Sequence, residues 1–189
     1  RYFIKQMADH IRARVRKVML WNESVTAGGA DLELIKSTGA TIFCWNPCQR
    51  GAAVAASLGL DAVITEWGSG CYYINRKQHN GESEPVAAGH GGAGDQLPAV
   101  YAYKPVPDDV TDPEQRRHYT GVQATFWTEH VSDIRYCDYL AFPRLLAVAE
   151  AAWSPEEKKD FESLRTRFEA DIPLLDMTGR LYGKHFIAK

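Results

Sequence analysis

The amino-acid sequence predicts an α/β protein with a parallel β-sheet, and three features of its 189 residues support this. Short apolar runs alternate with segments whose apolar residues have helical spacing. The runs are apolar throughout, which is typical of parallel strands covered on both faces. Each run also ends in a tryptophan or an acidic residue. The four runs span residues 17–21, 40–45, 61–67 and 121–129.

The first half of the chain contains three predicted helices, one before the first strand and two between strands. Apolar residues at helical spacing indicate them, and they span residues 3–15, 30–37 and 51–58. Gly39 and Gly59 follow the second and third helices, in the position where glycine commonly ends a helix. The order is therefore one helix followed by strand–helix units.

The second half begins with a segment that carries no strong pattern. Residues at about 68–118 are rich in glycine, proline and charge, and they predict a long loop. After the fourth strand a helix is predicted over 139–152, with Pro143 near its first turn, where proline is tolerated. A last helix is predicted to begin with Ser154 as its N-cap and to run to about Ile172.

Two architectures fit this order, an open doubly wound sheet and part of a (β/α)8 TIM barrel. The open sheet normally has a glycine-rich phosphate loop after an early strand, and the sequence has none. A barrel places its site at the carboxyl ends of the strands, where this chain has its tryptophans. A barrel typically needs about 250 residues. Four strand–helix units therefore predict half a barrel, with residues 1–189 forming a single partial domain.

Composition and charge exclude several classes of partner and site. The net charge of −2, with acids and bases mixed along the chain, argues against nucleic acid as a partner. No segment approaches the ~20 apolar residues of a membrane span. The four cysteines lack zinc-binding spacing, so no metal site is predicted, and buried free thiols are favoured over one disulfide. They are Cys44, Cys48, Cys71 and Cys137.

Tryptophans beside acids at converging strand ends favour a carbohydrate site. The flat indole covers the apolar face of a sugar, while a carboxylate accepts hydrogen bonds from its hydroxyls. Trp153 differs from the strand-end tryptophans because it lies on a helix among alanines, where packing is the better interpretation. Arg144 and Glu150 of the same helix are expected to contribute to a buried or half-buried ion pair between that helix and the barrel.

Four stretches of the sequence together are similar to the motifs of one enzyme family. They are VMLWNES (18–24), ATIFCW (40–45), CYYINRKQ (71–78), and GVQATFWTEHV followed by FPRLLAVAEAAWSP (121–155). On these motifs the chain resembles the C-terminal half of the catalytic barrel of family 20 glycoside hydrolases, the β-N-acetylhexosaminidases. The resemblance covers essentially the whole chain and would place it on the fifth to eighth strands.

The resemblance implies a substrate-assisted, retaining hydrolysis of terminal N-acetylglucosamine or N-acetylgalactosamine from glycans. In the family an Asp-Glu dipeptide at the end of the fourth strand supplies the general acid and the acid that holds the acetamido group. No Asp-Glu dipeptide occurs in this sequence. The general acid is therefore expected outside this chain, and no metal or organic cofactor is implied.

The residues that match the family motifs would hold the sugar. By resemblance, three tryptophans wall the pocket around the N-acetyl group and the sugar ring, namely Trp21, Trp45 and Trp127. Tyr73 would donate its hydroxyl to the acetamido oxygen, and Glu129 would accept hydrogen bonds from the sugar's O4 and O6 hydroxyls. Asn75 stands where the family usually has an Asp, which weakens a charge-assisted contact and leaves the sugar preference open.

Three hypotheses remain for the chain by itself. It is a fragment that pairs with a missing N-terminal half of the barrel, or a non-catalytic sugar-binding half-barrel. The third is a homodimeric barrel that recruits Glu23 or Glu66 as the acid. Exposed sheet edges favour self-association of a lone half. Secretion or a periplasmic location is an expectation from the family alone.

Overall fold

A parallel sheet of four strands forms the centre of the first part of the molecule. The computed structural model describes residues 1–68, 72–74, 96–128, 131 and 133–185. Within them the strands are β1 (Met19–Trp21), β2 (Thr41–Cys44), β3 (Ala62–Ile64) and β4 (Tyr119–Val122). Neighbouring strands pair in parallel in the order β1-β2-β3-β4.

This strand order distinguishes the two predicted architectures. A doubly wound sheet reverses its order at a switch point, whereas the strands of a (β/α)8 barrel follow one another in chain order. The sheet has the barrel order, and the half-barrel prediction is confirmed.

Nine α-helices and one short 3-10 helix occur among the described residues. The α-helices are α1 (Tyr2–Arg12), α2 (Glu23–Thr26), α3 (Leu32–Thr38), α4 (Cys48–Ser57), α5 (Gln96–Ala102), α6 (Pro113–Arg116), α7 (Ile134–Ala141), α8 (Arg144–Trp153) and α9 (Phe161–Met177). The 3-10 helix spans Glu156–Lys158. α5 and α6 lie inside the long loop predicted at about 68–118, so that prediction is wrong for these two segments.

The chain divides into two compact units. The first unit consists of Arg1–Gly68 and Pro105–Gln123, and it contains the sheet. The second unit consists of Ser69–Lys104 and Ala124–Lys189. That residues 1–189 form one partial catalytic domain stays a prediction.

Glycines end α3 and α4 as the sequence predicts. Gly39 has a left-handed backbone with φ of 63°, and Gly59 has φ of 72°. Glycine adopts this conformation without the steric penalty of a Cβ atom. Asp31 caps the other end of α3 by accepting a hydrogen bond from the Leu34 N–H at 3.1 Å. Each helix therefore stops at a residue that lets the chain turn into the next strand.

The predicted helix over 139–152 is interrupted at Pro143. α7 ends at Ala141, Phe142 is extended, and α8 begins at Arg144. A residue before proline is disfavoured in the helical conformation, because the proline ring clashes with its backbone. The single helix was therefore a wrong prediction, and the aromatic–proline pair forms a corner between two helices.

The start of the last helix also differs from the prediction. Ser154 is extended and ends α8, and Asp160 caps α9. The Asp160 carboxylate accepts hydrogen bonds from the N–H groups of Glu162 at 3.0 Å and Ser163 at 3.1 Å. The Ser-Pro-Glu-Glu sequence instead leads into the 3-10 helix. Both Ser and Asp are good caps, and local sequence did not decide between them.

The two faces of the sheet differ in burial within the first unit. Four side chains on one face are fully buried, namely Ile42, Cys44, Ala62 and Ile64. On the other face Met19 is 59% exposed and Trp21 is 42% exposed. The register places Trp21 opposite Phe43, and Phe43 opposite Val63. In a closed barrel this second face, which we call the open face, would be the interior.

The second unit has its own apolar core. Tyr136, Tyr139 and Leu140 of α7 are buried together, and they pack with Phe126, Val131 and Leu181. In the same unit Glu150 forms an ion pair with Arg167 of α9 at 2.5 Å. Glu150 thus pairs with another helix of the second unit, whereas the sequence predicts an ion pair between α8 and the barrel. Trp153 is 88% exposed, so its assignment to packing was wrong.

Candidate functional site

The carboxyl ends of β1 to β3 carry the predicted aromatic residues of the first unit. Trp21 is the last residue of β1, Trp45 directly follows β2, and Glu66 and Trp67 follow β3. Because the strands are parallel, these residues lie along one edge of the sheet. Active sites of barrels form at this edge, since the loops there vary without disturbing the core.

Trp45 is held in place by two residues that follow β1. Its indole Nε1–H donates to Glu23 Oε1 at 2.7 Å, and its backbone N–H donates to Asn22 Oδ1 at 2.9 Å. Its ring contacts that of Trp67 edge to face, with centroids 5.8 Å apart. The indole therefore has a defined orientation before any ligand arrives, as a sugar-stacking surface requires.

Asn22 is a structural residue of this edge that sequence reasoning did not single out. It is fully buried, and its Nδ2 donates to the carbonyl of Asn46 at 3.1 Å. A Cβ atom added at Gly51 of α4 would lie 2.6 Å from the Asn22 Cβ, so only glycine allows this approach. Asn22 thus joins the ends of β1 and β2. The sequence signal for this structural role was a polar residue, Asn22, directly after the apolar residues of β1.

The open face contains a small cleft beside Trp21. Met19, Leu20, Trp21, Phe43 and Gln123 line it, and its volume is about 210 Å³. Trp21 and Phe43 meet edge to face with ring centroids 6.0 Å apart. Ligand pockets usually measure about 300–1,000 Å³. The cleft is therefore large enough for part of a ligand, with an aromatic wall already in place.

Two cysteines lie beneath this edge as buried thiols. Burial raises the pKa of Cys44 to about 12. Burial also raises the pKa of Cys48 above its usual range, and the neighbouring Glu66 carboxylate adds to that rise. Both thiols stay protonated near neutral pH and are poor nucleophiles. The prediction of buried free thiols is confirmed for Cys44 and Cys48, whereas the free thiol of Cys137 is only half-buried; Cys71 lies outside the described residues.

Two of the predicted site residues that the structure describes lie in the second unit. Tyr73 is 6% exposed and pairs with Thr125 in an isolated parallel β-bridge. Trp127 follows two residues after Thr125 and is 44% exposed. Asn75 and Glu129, which were predicted to contact sugar hydroxyls, lie outside the described residues. The sugar-binding roles of all these residues stay predictions.

The described part of the chain shows neither a metal cluster nor a membrane span. No group of three or more His, Cys, Asp and Glu side chains is arranged to hold a metal ion there. None of the described helices is long and apolar enough to cross a membrane. The arrangement at the strand ends is instead aromatic and hydrogen-bonding.

The chain is similar in sequence to known proteins of one family. Residues 1–156 match the family model described as glycosyl hydrolase family 20, catalytic domain. A beta-hexosaminidase of Porphyromonas gingivalis is 36% identical over 181 residues, which cover 96% of this chain and 22% of that protein. The chain thus spans about a fifth of that relative's length.

Solved structures support the fold. The exo beta-N-acetylglucosaminidase of Vibrio harveyi, determined in complex with N-acetylglucosamine, has a TM-score of 0.76 and 26% identity. The similarity covers 97% of this chain and 27% of that one. The beta-N-acetylhexosaminidase of Streptomyces coelicolor has a TM-score of 0.75 at 24% identity, over 98% of this chain and 36% of that one.

Proposed function

Because this chain belongs to glycosyl hydrolase family 20, we propose that it forms the sugar-binding half of an exo-acting β-N-acetylhexosaminidase. Its substrates would be glycans that end in N-acetylglucosamine or N-acetylgalactosamine. The observation that carries the proposal is the placement of Trp21 and Trp45 at the carboxyl ends of neighbouring parallel strands. Both residues lie within the region that matches the catalytic domain.

The proposed reaction uses the substrate's own acetamido group as the nucleophile. Its oxygen attacks the anomeric carbon while the glycosidic bond breaks, and a general acid gives a proton to the leaving oxygen. Water then opens the oxazolinium intermediate, and the anomeric configuration is retained. The Tyr73 hydroxyl would donate to the acetamido oxygen and stabilise the charge that develops there.

The remaining contacts would bind and orient the terminal sugar. Trp21, Trp45 and Trp127 would surround the N-acetyl group and the apolar face of the ring. Glu129 and Asn75 would bind ring hydroxyls, with Asn75 offering an uncharged acceptor in place of a carboxylate. Aromatic walls around a bound sugar would exclude water, which would strengthen every hydrogen bond made inside the pocket.

The general acid would come from outside these residues. The sequence contains no Asp-Glu dipeptide. The Glu23 carboxylate accepts the Trp45 indole N–H, and Glu66 is 8% exposed. A general acid must reach the leaving oxygen with a free proton, and neither environment favours that role. These contacts support a fragment over a homodimeric barrel that recruits either residue.

The proposal also specifies a partner and a compartment. The other four strands of a barrel would cover the open face, supplied either by a missing N-terminal half or by a second copy of this chain. Secretion or a periplasmic location would give access to glycans. Neither nucleic acid nor a membrane is a proposed partner.

The proposal is tested by release of nitrophenol from a nitrophenyl N-acetyl-β-glucosaminide. We expect no turnover by the purified chain and clear turnover after a separately produced N-terminal half of the barrel is added. A nitrophenyl β-glucoside, which lacks the acetamido group, is the matched control substrate and should not be cleaved.

Each alternative gives a different result in this assay. Turnover by the lone chain would place the acid within these residues and contradict the proposal. Binding of N-acetylglucosamine without turnover in the reconstituted pair would instead support a non-catalytic sugar-binding module.

A further inference from the structure

The segment that carries Tyr73 is attached to a neighbouring segment of the second unit by backbone hydrogen bonds. The Ile74 N–H donates to the Thr125 carbonyl at 3.1 Å, and the Thr125 N–H donates to the Tyr72 carbonyl at 2.7 Å. Together they form the isolated bridge between Tyr73 and Thr125. A pairing this short is weak by itself, since stable sheets need several strands and an apolar face. Further attachments of this segment therefore help to keep Tyr73 in one position.

Arg144 provides one such attachment from a distant part of the sequence. Its Nη2 donates to the Ile74 carbonyl at 2.5 Å, across 70 positions of sequence. The same guanidinium donates to the Leu140 carbonyl from Nε at 3.0 Å and from Nη2 at 2.6 Å. Leu140 lies in the last turn of α7, where carbonyl groups have lost their helical partners. One side chain thus connects the end of α7, the start of α8 and the Tyr73 segment.

The burial of Arg144 makes these hydrogen bonds important. Its side chain is 1% exposed, and a buried cation is stable only where its N–H groups are hydrogen-bonded. Arginine presents several donors in a rigid plane and can serve two carbonyls at once. Lysine carries a single compact charge and would not reproduce this geometry.

We propose that Arg144 is a positioning residue that holds Tyr73 through the carbonyl of Ile74. The inference rests on the proposed function, in which the Tyr73 hydroxyl donates to the acetamido oxygen of the substrate. Arg144 then acts on recognition of the acetamido group through the position of Tyr73. It determines the preference for N-acetylated over plain sugars without touching the ligand.

Sugar discrimination in a double-mutant cycle tests this inference. The affinities for N-acetylglucosamine and for glucose are measured for the wild-type chain, Arg144→Lys, Tyr73→Phe and the double variant. We expect each single variant to lose roughly tenfold of the preference for N-acetylglucosamine, as for the loss of one hydrogen bond. The double variant should lose no more than Tyr73→Phe, because Arg144 acts through Tyr73.

Arg180→Lys is the matched control. Arg180 pairs with Asp138 at 2.6 Å in the same unit, and no substrate role is proposed for it. Its replacement should leave the sugar preference unchanged. Amide hydrogen exchange gives a readout that needs no sugar, and Arg144→Lys should make the Ile74 amide exchange roughly tenfold faster.

The outcomes separate this inference from the proposed function. Unchanged exchange at Ile74, or additive losses in the double variant, would overturn the positioning role. If neither the wild-type chain nor Tyr73→Phe discriminates between the sugars, the proposed role of Tyr73 fails and the effect of Arg144 on sugar preference fails with it. Arg144→Gln, which keeps N–H donors without the charge, replaces the lysine variant if that does not fold. If neither variant folds, Arg144 is a stabilising residue and the inference is wrong.

Discussion

At the scale of single residues, Trp45 has a fixed orientation because its hydrogen bonds and ring contacts come from three different residues. Glu23 accepts its indole N–H, Asn22 accepts its backbone N–H, and Trp67 packs against its ring. The Glu23 contact is charge-assisted and therefore stronger than a neutral hydrogen bond. Glu23 is thus best understood as the residue that orients Trp45.

Replacing Glu23 with glutamine should weaken sugar binding. Glu23→Gln keeps an acceptor oxygen but removes the charge, so the indole is held less firmly. We expect the affinity for N-acetylglucosamine to fall about threefold to tenfold, as measured by tryptophan fluorescence titration. The free energy of unfolding should change by less than about 1 kcal/mol, since Glu23 is exposed.

Glu33→Gln is the control for that substitution. Glu33 is an exposed acid in the first turn of α3, and it has no proposed contact with the site. An equal loss of affinity in both variants would show that general charge, rather than the orientation of Trp45, determines binding.

At the scale of elements, α9 shows how one side chain determines where a helix begins. Asp160 accepts two backbone N–H groups of the first turn, and its own N–H donates to the Tyr101 hydroxyl at 2.6 Å. Ser154, the cap predicted from sequence, instead ends α8. The cap at Asp160 is thus attached to α5 through Tyr101, a contact with no local sequence signal.

The two candidate caps should differ in their effect on stability. Asp160→Ala should lower the free energy of unfolding by about 1 kcal/mol, because two N–H groups of α9 lose their partner. Ser154→Ala should change it by no more than about 0.5 kcal/mol. Urea unfolding followed by circular dichroism measures both values. A larger loss for Ser154→Ala would contradict the helix boundary seen here.

At the scale of the whole molecule, the first unit has a sheet face that is exposed at β1. Met19 and Trp21 are exposed there, whereas the residues on the opposite face are buried beneath helices. Parallel sheets are normally covered on both faces, because their strands are apolar on both sides. An uncovered apolar face favours association with a partner, and we expect the isolated chain to self-associate.

A charge on the open face should weaken that self-association. Met19→Lys places an ammonium group where apolar surface would be buried, and the loss of a buried methionine corresponds to roughly tenfold or more in the dissociation constant. Sedimentation velocity over a range of concentrations measures it. Met177→Lys is the control, since Met177 is 84% exposed at the end of α9 in the second unit. Equal effects of the two variants would argue against the open face as the interface.

The sequence by itself determined the alternation of helices and strands, the parallel class of the sheet and the glycine ends of α3 and α4. It also placed Trp21 and Trp45 at strand ends and carried the motifs that identify the family. These properties are local, because hydrophobic periodicity, turn residues and short motifs are encoded within a few neighbouring positions. Local signals of this kind can be recognised even in a chain that spans only part of the length of its relatives.

Only the tertiary structure decided the properties that depend on distant residues. The strand order required pairing between segments about twenty or more positions apart in sequence. The acceptors of the Arg144 guanidinium, the contact between Glu23 and Trp45, and the exposure of Trp153 also depend on which surfaces meet. The sequence pattern around a residue shows that it can be buried or hydrogen-bonded. Its partner is determined by packing across the whole fold, because long-range contacts must offset the conformational entropy that the chain loses on folding.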